Sequence, residues 1–396
     1  MQKRLLVILF LLMGLLLAAC GAGIVTPPPP PDLPTWTPSV TPLPPTPTAT
    51  LTPTITPTPP LNAQNGPPLL SIHMFTPVRG WGIIENQLLA TNDGGFTWAG
   101  VPVPGGAFSG YNGAYFQNER EAFILVASPD GSNSGTLNYT ADGGQTWQSI
   151  PVPMSSGSIQ MMPNTNLEGL IVQTLGGAAD SMPVAVFQSL DRVTWLRTFA
   201  HDRPGEVAGL PFSGIKNGAV FANLSLGYIT GSEPVENSIY LFRTTDGGRN
   251  WERVELPLPE GMQDYMAETL PPVFFLDGKG FLPVDFLMGD NQIRVFYYTE
   301  DSGWNWSPRG ALPRGSAYEF VNDTTGWAWA GRQLFYTTDG AQTWAALPVS
   351  FSAREAATCL NFIDPRNGWL ITVDDRSRVR LYRTNDAGGT WTVVIP

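Results

Sequence analysis

Few residues in this chain are placed to do chemistry. The histidines are His73 and His201, and the cysteines are Cys20 and Cys359. Neither histidine has a His, Cys or carboxylate neighbour at a zinc-binding spacing, so no metal is assigned. There is no Gly-x-Ser-x-Gly nucleophile elbow and no phosphate-binding glycine loop. Asp374 with Asp375, and Asp285 with Asp290, are acid pairs whose oxygens could take Ca²⁺ weakly. Both pairs read first as solvated loop acids. Cys359 reads as a small buried apolar residue rather than a nucleophile. No catalytic residue and no cofactor follow from these residues.

The chemistry-bearing type that does recur is aspartate. Residues 91–98 read Thr-Asn-Asp-Gly-Gly-Phe-Thr-Trp, and the phrase returns at 140–147, 244–251, 299–306, 337–344 and 384–391. A copy one residue shorter occupies 189–195. The aspartates are Asp93, Asp142, Asp191, Asp246, Asp301, Asp339 and Asp386, at intervals averaging about 49 residues. A fixed period of this size marks a solenoid, propeller or array. Seven copies also argue against catalysis at any one of them, because an active site needs an asymmetric set of groups. A structural role follows instead. Asp accepts bonds from backbone donors two residues on, and the glycines supply positive φ at a tight turn. The shortened copy and the Gly-to-Ala change at Ala341 predict less regular turns.

A second marker precedes each phrase: Gly80-Trp81, Ala122-Phe123, Gly169-Leu170, Gly227-Tyr228, Gly280-Phe281, Gly326-Trp327 and Gly368-Trp369. Short β-rich runs separated by Gly, Pro and Asn surround both markers, and no run shows capped helical periodicity. Each unit therefore reads as strand A, a turn, strand B opening on the marker, strand C, the Asp phrase, and strand D opening on Trp. The expected fold is all-β: a seven-bladed β-propeller of four-stranded antiparallel blades over residues 69–396. The first and last units both carry all four strands, so ring closure needs no strand exchange.

Residues 1–20 place Lys3 and Arg4 before an apolar run too short to span a membrane comfortably, and end in Leu-Ala-Ala-Cys. Residues 21–68 are a Pro/Thr-rich linker, because proline lacks a backbone donor and fixes φ. Such a linker extends at roughly 3.1 Å per residue. The ending at Cys20 resembles the bacterial lipoprotein box, which implies acylation of Cys20 and an extracytoplasmic domain tethered to a membrane.

The Asp phrase resembles the Asp box, or bacterial neuraminidase repeat, whose role in its families is structural and whose place is the propeller rim. Together with the Gly-aromatic marker, as in 361–369 followed by 384–391, it resembles the photosystem II stability and assembly factor family. That resemblance implies a non-catalytic propeller that binds membrane subunits. The family's basic patch has no counterpart at the positions before the phrase, where only Arg243 and Arg383 are basic. Sialidases and xyloglucan-cleaving hydrolases also carry Asp boxes. The sialidase Arg-Ile-Pro motif is missing here, since Arg79 is followed by Gly80-Trp81, and the two-propeller cleft of the hydrolases has no counterpart. A glycan-binding or glycan-cleaving protein is the alternative, with Trp327 and Trp329 as stacking surfaces.

The net charge of −11, with only 14% charged residues, excludes nucleic-acid binding by phosphate neutralisation. Strand order puts the A–B turns and Asp turns on one face. The B–C loops (127–136, 175–184, 231–238, 285–292) and D–A connections (200–216, 256–270) lie on the other. Variable loops over a rigid scaffold carry binding. The candidate binding residues on that face are His201, Arg203, Tyr265, Arg314, Tyr318, Trp329 and Arg332, for a protein partner or a glycan.

Overall fold

The computed structural model describes residues 69–395 apart from 107, 109–112, 163–166, 177–180, 202–203 and 350–354. The expected signal segment with Cys20 and the Pro/Thr-rich linker lie outside the described residues, as does Arg203. Among the described residues there is no α-helix.

Strands follow the repeat. The first unit is Ser71–Met74, Gly80–Ile84, Gln87–Thr91 and Ala99–Val101, and the last is Ala356–Phe362, Gly368–Val373, Val379–Thr384 and Thr392–Ile395. Both are complete four-stranded sheets in chain order. Five units stand as separate four-stranded sheets, while the fourth and fifth share one nine-stranded sheet. A single bridge between Ser232 and Glu268 joins those two halves. Two expected loops are ordered. Strands Gly280–Met288 and Asn291–Thr299 run through most of 285–292, and residues 200–216 hold the hairpin Glu206–Val207 with Leu210–Pro211.

The B strands Gly80–Ile84 and Gly326–Ala330 are buried at every residue, whereas the D strand Ala345–Leu347 is mostly exposed. Both sheet faces are therefore covered near the middle of each unit, and D forms the outer edge. What covers them is the next unit. Trp81 packs with Trp147 of the following unit, Phe123 with Trp195, Tyr228 with Trp306, and Trp327 with Trp391. The same rule joins the ends: Trp369 of the last unit shares a cluster with Trp98 of the first. Trp369 Nε1 also donates to the Gly94 carbonyl at 2.9 Å, closing the ring of units. The marker aromatic faces forward and the phrase tryptophan faces back, so Trp98 is interlocked with another unit rather than merely covering its own hairpin.

The marker glycine is explained by close approach. A Cβ at Gly326 would meet Phe320 at 2.4 Å, and one at Gly368 would meet Phe362 at 2.4 Å. Each glycine lies opposite that residue of strand A, whose ring lies across the gap.

On the A strands, the residue opposite each marker aromatic is His73, Tyr115, Gln160, Val220, Val273, Glu319 or Asn361. Polar members of this set reach the next unit. Tyr115 OH donates to Met161 O at 3.2 Å, and Gln160 exchanges bonds of 2.6 and 2.8 Å with the Phe221 backbone. Asn361 Oδ1 accepts from the Met74 amide at 2.7 Å, and the His73 ring lies 4.8 Å from that of Phe116. Burial pushes the Glu319 carboxyl up to about 8.

Candidate binding face

The Asp turns have one construction. In the first, Thr97 donates its amide to Asp93 Oδ1 at 2.9 Å and its hydroxyl to Oδ2 at 2.6 Å, while the Gly95 amide donates to Thr91 Oγ1 at 2.9 Å. Burial pushes the Asp93 carboxyl up, but these bonds together hold it below its ordinary value. The turn at Asp339 keeps every one of these bonds, because Ala341 adopts φ 62° in place of glycine. The expectation of an irregular turn there is corrected: the left-handed strain at Ala341 is borne by the intact bonding. The short copy is less regular: Asp191 Oδ1 takes its amide bonds from Val193 and Thr194, two and three residues on, where the full copies use a donor four residues on. Each full turn leans on its own A–B turn, as in Gly94 N to Val78 O at 2.9 Å and Gly340 N to Thr324 O at 2.9 Å. The two kinds of turn therefore share a face.

The opposite face gathers some of the sequence candidates and excludes others. His201 is 4% exposed; its Nε2 donates to the Leu210 carbonyl at 3.0 Å and its ring meets Phe199 and Phe212 edge-on. Tyr265 is 6% exposed, and its hydroxyl accepts from Asn291. Trp329 is 4% exposed and Trp327 fully buried, so neither presents a ring to a sugar. These residues hold loops in place. Arg332 is exposed, at a two-residue turn with φ 67°.

Arg314 and Tyr318 do converge, around an acid expected to be solvated, Asp285. Asp285 is fully buried in strand Gly280–Met288, not a solvated loop acid. It takes a bidentate pair from Arg294, at 2.7 and 2.9 Å, and a third bond from Arg314 Nε at 2.9 Å. Arg314 also reaches Glu268 at 2.9 Å and Gln292 at 3.3 Å. Glu268 accepts from Asn217 of the fourth unit at 3.2 Å. The Arg294 guanidinium lies 5.2 Å from the centre of the Tyr318 ring, whose hydroxyl burial pushes up to about 12. Three units thus meet in a cluster of two arginines and two acids.

Asn217 also borders a cleft of about 380 Å³ between the third and fourth units, lined by Thr174, Met182, Val184 and Lys216. Lys216 donates to the carbonyls of Pro211, Phe212 and Ser213 at 2.7–2.9 Å. Burial lowers its pKa to about 8, against the attraction of Glu233. The ordered hairpin in 200–216 thus ends in a carbonyl cradle filled by its own lysine.

A related cluster lies in the last unit. Glu355, 4% exposed, accepts from Thr372, Tyr382 and Arg380 at 2.7–2.9 Å. Asp374 is likewise no free loop acid: the Arg378 amide, then its guanidinium, hold it down to about 2. Charge pairing suits these clusters to rigid hydrogen-bond recognition and leaves neither Asp285 nor Glu268 as a free acid or base. The sequence signal for Asp285 was its setting, a lone carboxylate within Val284-Asp285-Phe286 on a buried strand. Among the described residues, no group of three or more His, Cys, Asp or Glu could hold a metal ion.

No family model and no curated protein sequence matches the chain. Solved structures do. A structure described as YCF48 bound to D1 peptide aligns with TM-score 0.51 and 19% identity, over 84% of this chain and 99% of that one. The GH74 xyloglucanase from Xanthomonas campestris aligns with TM-score 0.57 and 11% identity, over 88% of this chain but 56% of its own. An oligogalacturonate lyase in complex with manganese gives TM-score 0.51 and 10% identity, over 78% and 85%. The fold is a β-propeller. At these identities the likeness is one of fold, and it spans a peptide-bound protein and carbohydrate-active enzymes alike.

Proposed function

We propose that this chain is a seven-bladed Asp-box propeller, held outside the cytoplasm by a lipid on Cys20, which binds a partner protein or membrane complex without catalysis. Seven repeats, and apolar clusters that join each unit to the next and the last to the first, support the blade count. The observation that carries the binding role is the cluster around Arg314. It is rigid and charge-balanced, spans three units, and leaves the Arg314 side chain 37% exposed on the loop-rich face. Arginine is enriched among the few residues that carry most of the binding energy of an interface. The fold likeness to a protein bound to a peptide is consistent with this role.

The test is affinity purification of the partner from the native membrane, followed by titration of the identified partner. Arg314→Ala is expected to weaken binding by about tenfold, or 1.4 kcal/mol. Hydrolysis of sialosides or β-glucans by the purified chain at enzymatic rates would overturn the reading. Mass spectrometry should find the mature N-terminus acylated at Cys20, and Cys20→Ala should release the protein from membranes. An unmodified, soluble wild-type chain would refute the anchor.

A further inference from the structure

The Asp-turn face is repetitive in sequence, yet one stretch of it departs from the repeat. The sixth position of the phrase is Gln145, Arg249 or Gln342 in three units, and in each the side chain folds back to donate to its aspartate's own carbonyl, at 3.1, 2.6 and 2.9 Å. The fifth unit places Trp304 there, 50% exposed. Its ring is fixed from one side by Arg243 of the fourth unit, whose guanidinium lies 3.9 Å from the ring centre. Arg243 is itself held by Glu252 through both Nε and Nη2. Three copies use this position to brace the turn, but the first and last place Phe96 and Gly389 there, so the turn does not depend on it and gives no reason for an exposed Trp. A Trp locked in one orientation loses little side-chain entropy on binding.

Ser302, two residues earlier in the same turn, lines a groove of about 650 Å³ that runs inward across the fourth and third units. Phe274, Phe275, Leu224 and Met162 form its walls. Leu276 lines it at 86% exposure, the most exposed large apolar residue described, and Leu167 next to its lining residue Glu168 is 47% exposed. Grouped exposed apolar residues beside a groove mark an interaction site. The exposed charge around it is acidic in balance. Arg243 is taken up by Glu252, which stays 59% exposed, and Lys279 is shared between Asp277 and Asp323.

We propose that this groove and Trp304 form a second docking surface, on the face opposite Arg314, for a partner-protein segment with apolar anchors and basic flanks. The apolar side chains enter the groove, one packs on the free face of Trp304, and the flanks meet the acidic rim.

The experiment uses the full chain in detergent and short fluorescein-labelled peptides of leucine with lysine, or leucine with glutamate, followed by anisotropy at physiological salt. The leucine–lysine peptide is expected to bind, and the leucine–glutamate peptide at least tenfold more weakly. Trp304→Gln and Leu276→Ser should each weaken the leucine–lysine peptide about tenfold or more. Phe96→Gln, at the same phrase position in the first unit, and Arg314→Ala on the other face should not change it. Trp304 and Leu276 are exposed, so both variants should unfold at the wild-type temperature, which scanning calorimetry checks. Equal binding of the two peptides, or unchanged binding in both variants, overturns the proposal. So does displacement of the peptide by xyloglucan oligosaccharides, which would make the surface a glycan site. Because Arg314→Ala is the control here, failure of this surface leaves the loop-rich face untouched, and the reverse holds.

Discussion

Glu319 makes the stability of this propeller depend on pH in a direction opposite to that of most carboxylates. It stands opposite Trp327 on an inner strand, where burial lifts its pKa from 4.5 to about 8. Below pH 4.5 the folded and unfolded chains both hold the proton, so Glu319 adds no pH dependence. Between 4.5 and about 8 the unfolded chain releases the proton and the folded chain keeps it, so stability falls as pH rises. Above about 8 the loss is complete. The full shift would be worth about 5 kcal/mol at roughly 1.4 kcal/mol per unit. The residue is half-buried, and residual water contact reduces this to roughly 2–3 kcal/mol. Glu319→Gln mimics the protonated acid. It should match wild type at pH 4.5–5 and exceed it by roughly 2–3 kcal/mol at pH 8.5, on the order of 5 °C in Tm for a domain of this size. Denaturant titrations of both proteins at the two pH values measure the difference, and its being the same at both would refute the argument.

Other parts of the structure give equally direct expectations. Asp285→Asn leaves Arg294 and Arg314 without their shared carboxylate and should cost about 3–5 kcal/mol; a loss below about 1 kcal/mol in urea unfolding would contradict its burial. Asp142→Ala removes the carboxylate that accepts from Thr140 and from the Thr146 amide and hydroxyl, and should cost about 1–2 kcal/mol. Hydrogen exchange should show that loss at residues 140–147 first, and unchanged protection there would count against the turn's role. Burial, the larger cause, pushes Cys359 up to about 11. In a Cys20→Ala chain at pH 8 its thiol should therefore react with Ellman's reagent only on unfolding, and rapid labelling of the native chain would show the site to be open.

Much of the architecture was legible because it rests on local chemistry. The Thr-x-Asp phrase satisfies its own turn within eight residues, and the Gly-aromatic marker announces a strand in which a ring crosses a glycine. The candidate site was only partly legible. Arg314 and Tyr318 were found from their place on the loop-rich face, but His201, Tyr265 and Trp329 share that address and are buried. Position along a strand cannot distinguish a side chain that points at the next unit from one that points at water. Asp285 was misread for the same reason: its partners are Arg294 on the neighbouring strand and Arg314 in the connection between two later strands, 29 residues away.

The sequence by itself determined the repeat, the strand order, the turn chemistry and hence which loops share a face, since each follows from residues a few positions apart. Only the tertiary structure decided that marker and phrase tryptophans interlock successive units, that Trp369 reaches Gly94 across 275 residues, and which carboxylates lie buried between arginines. Those facts depend on which surfaces meet when the ring closes. Burial and pairing then set each group's desolvation and charge, and no local pattern carries that information.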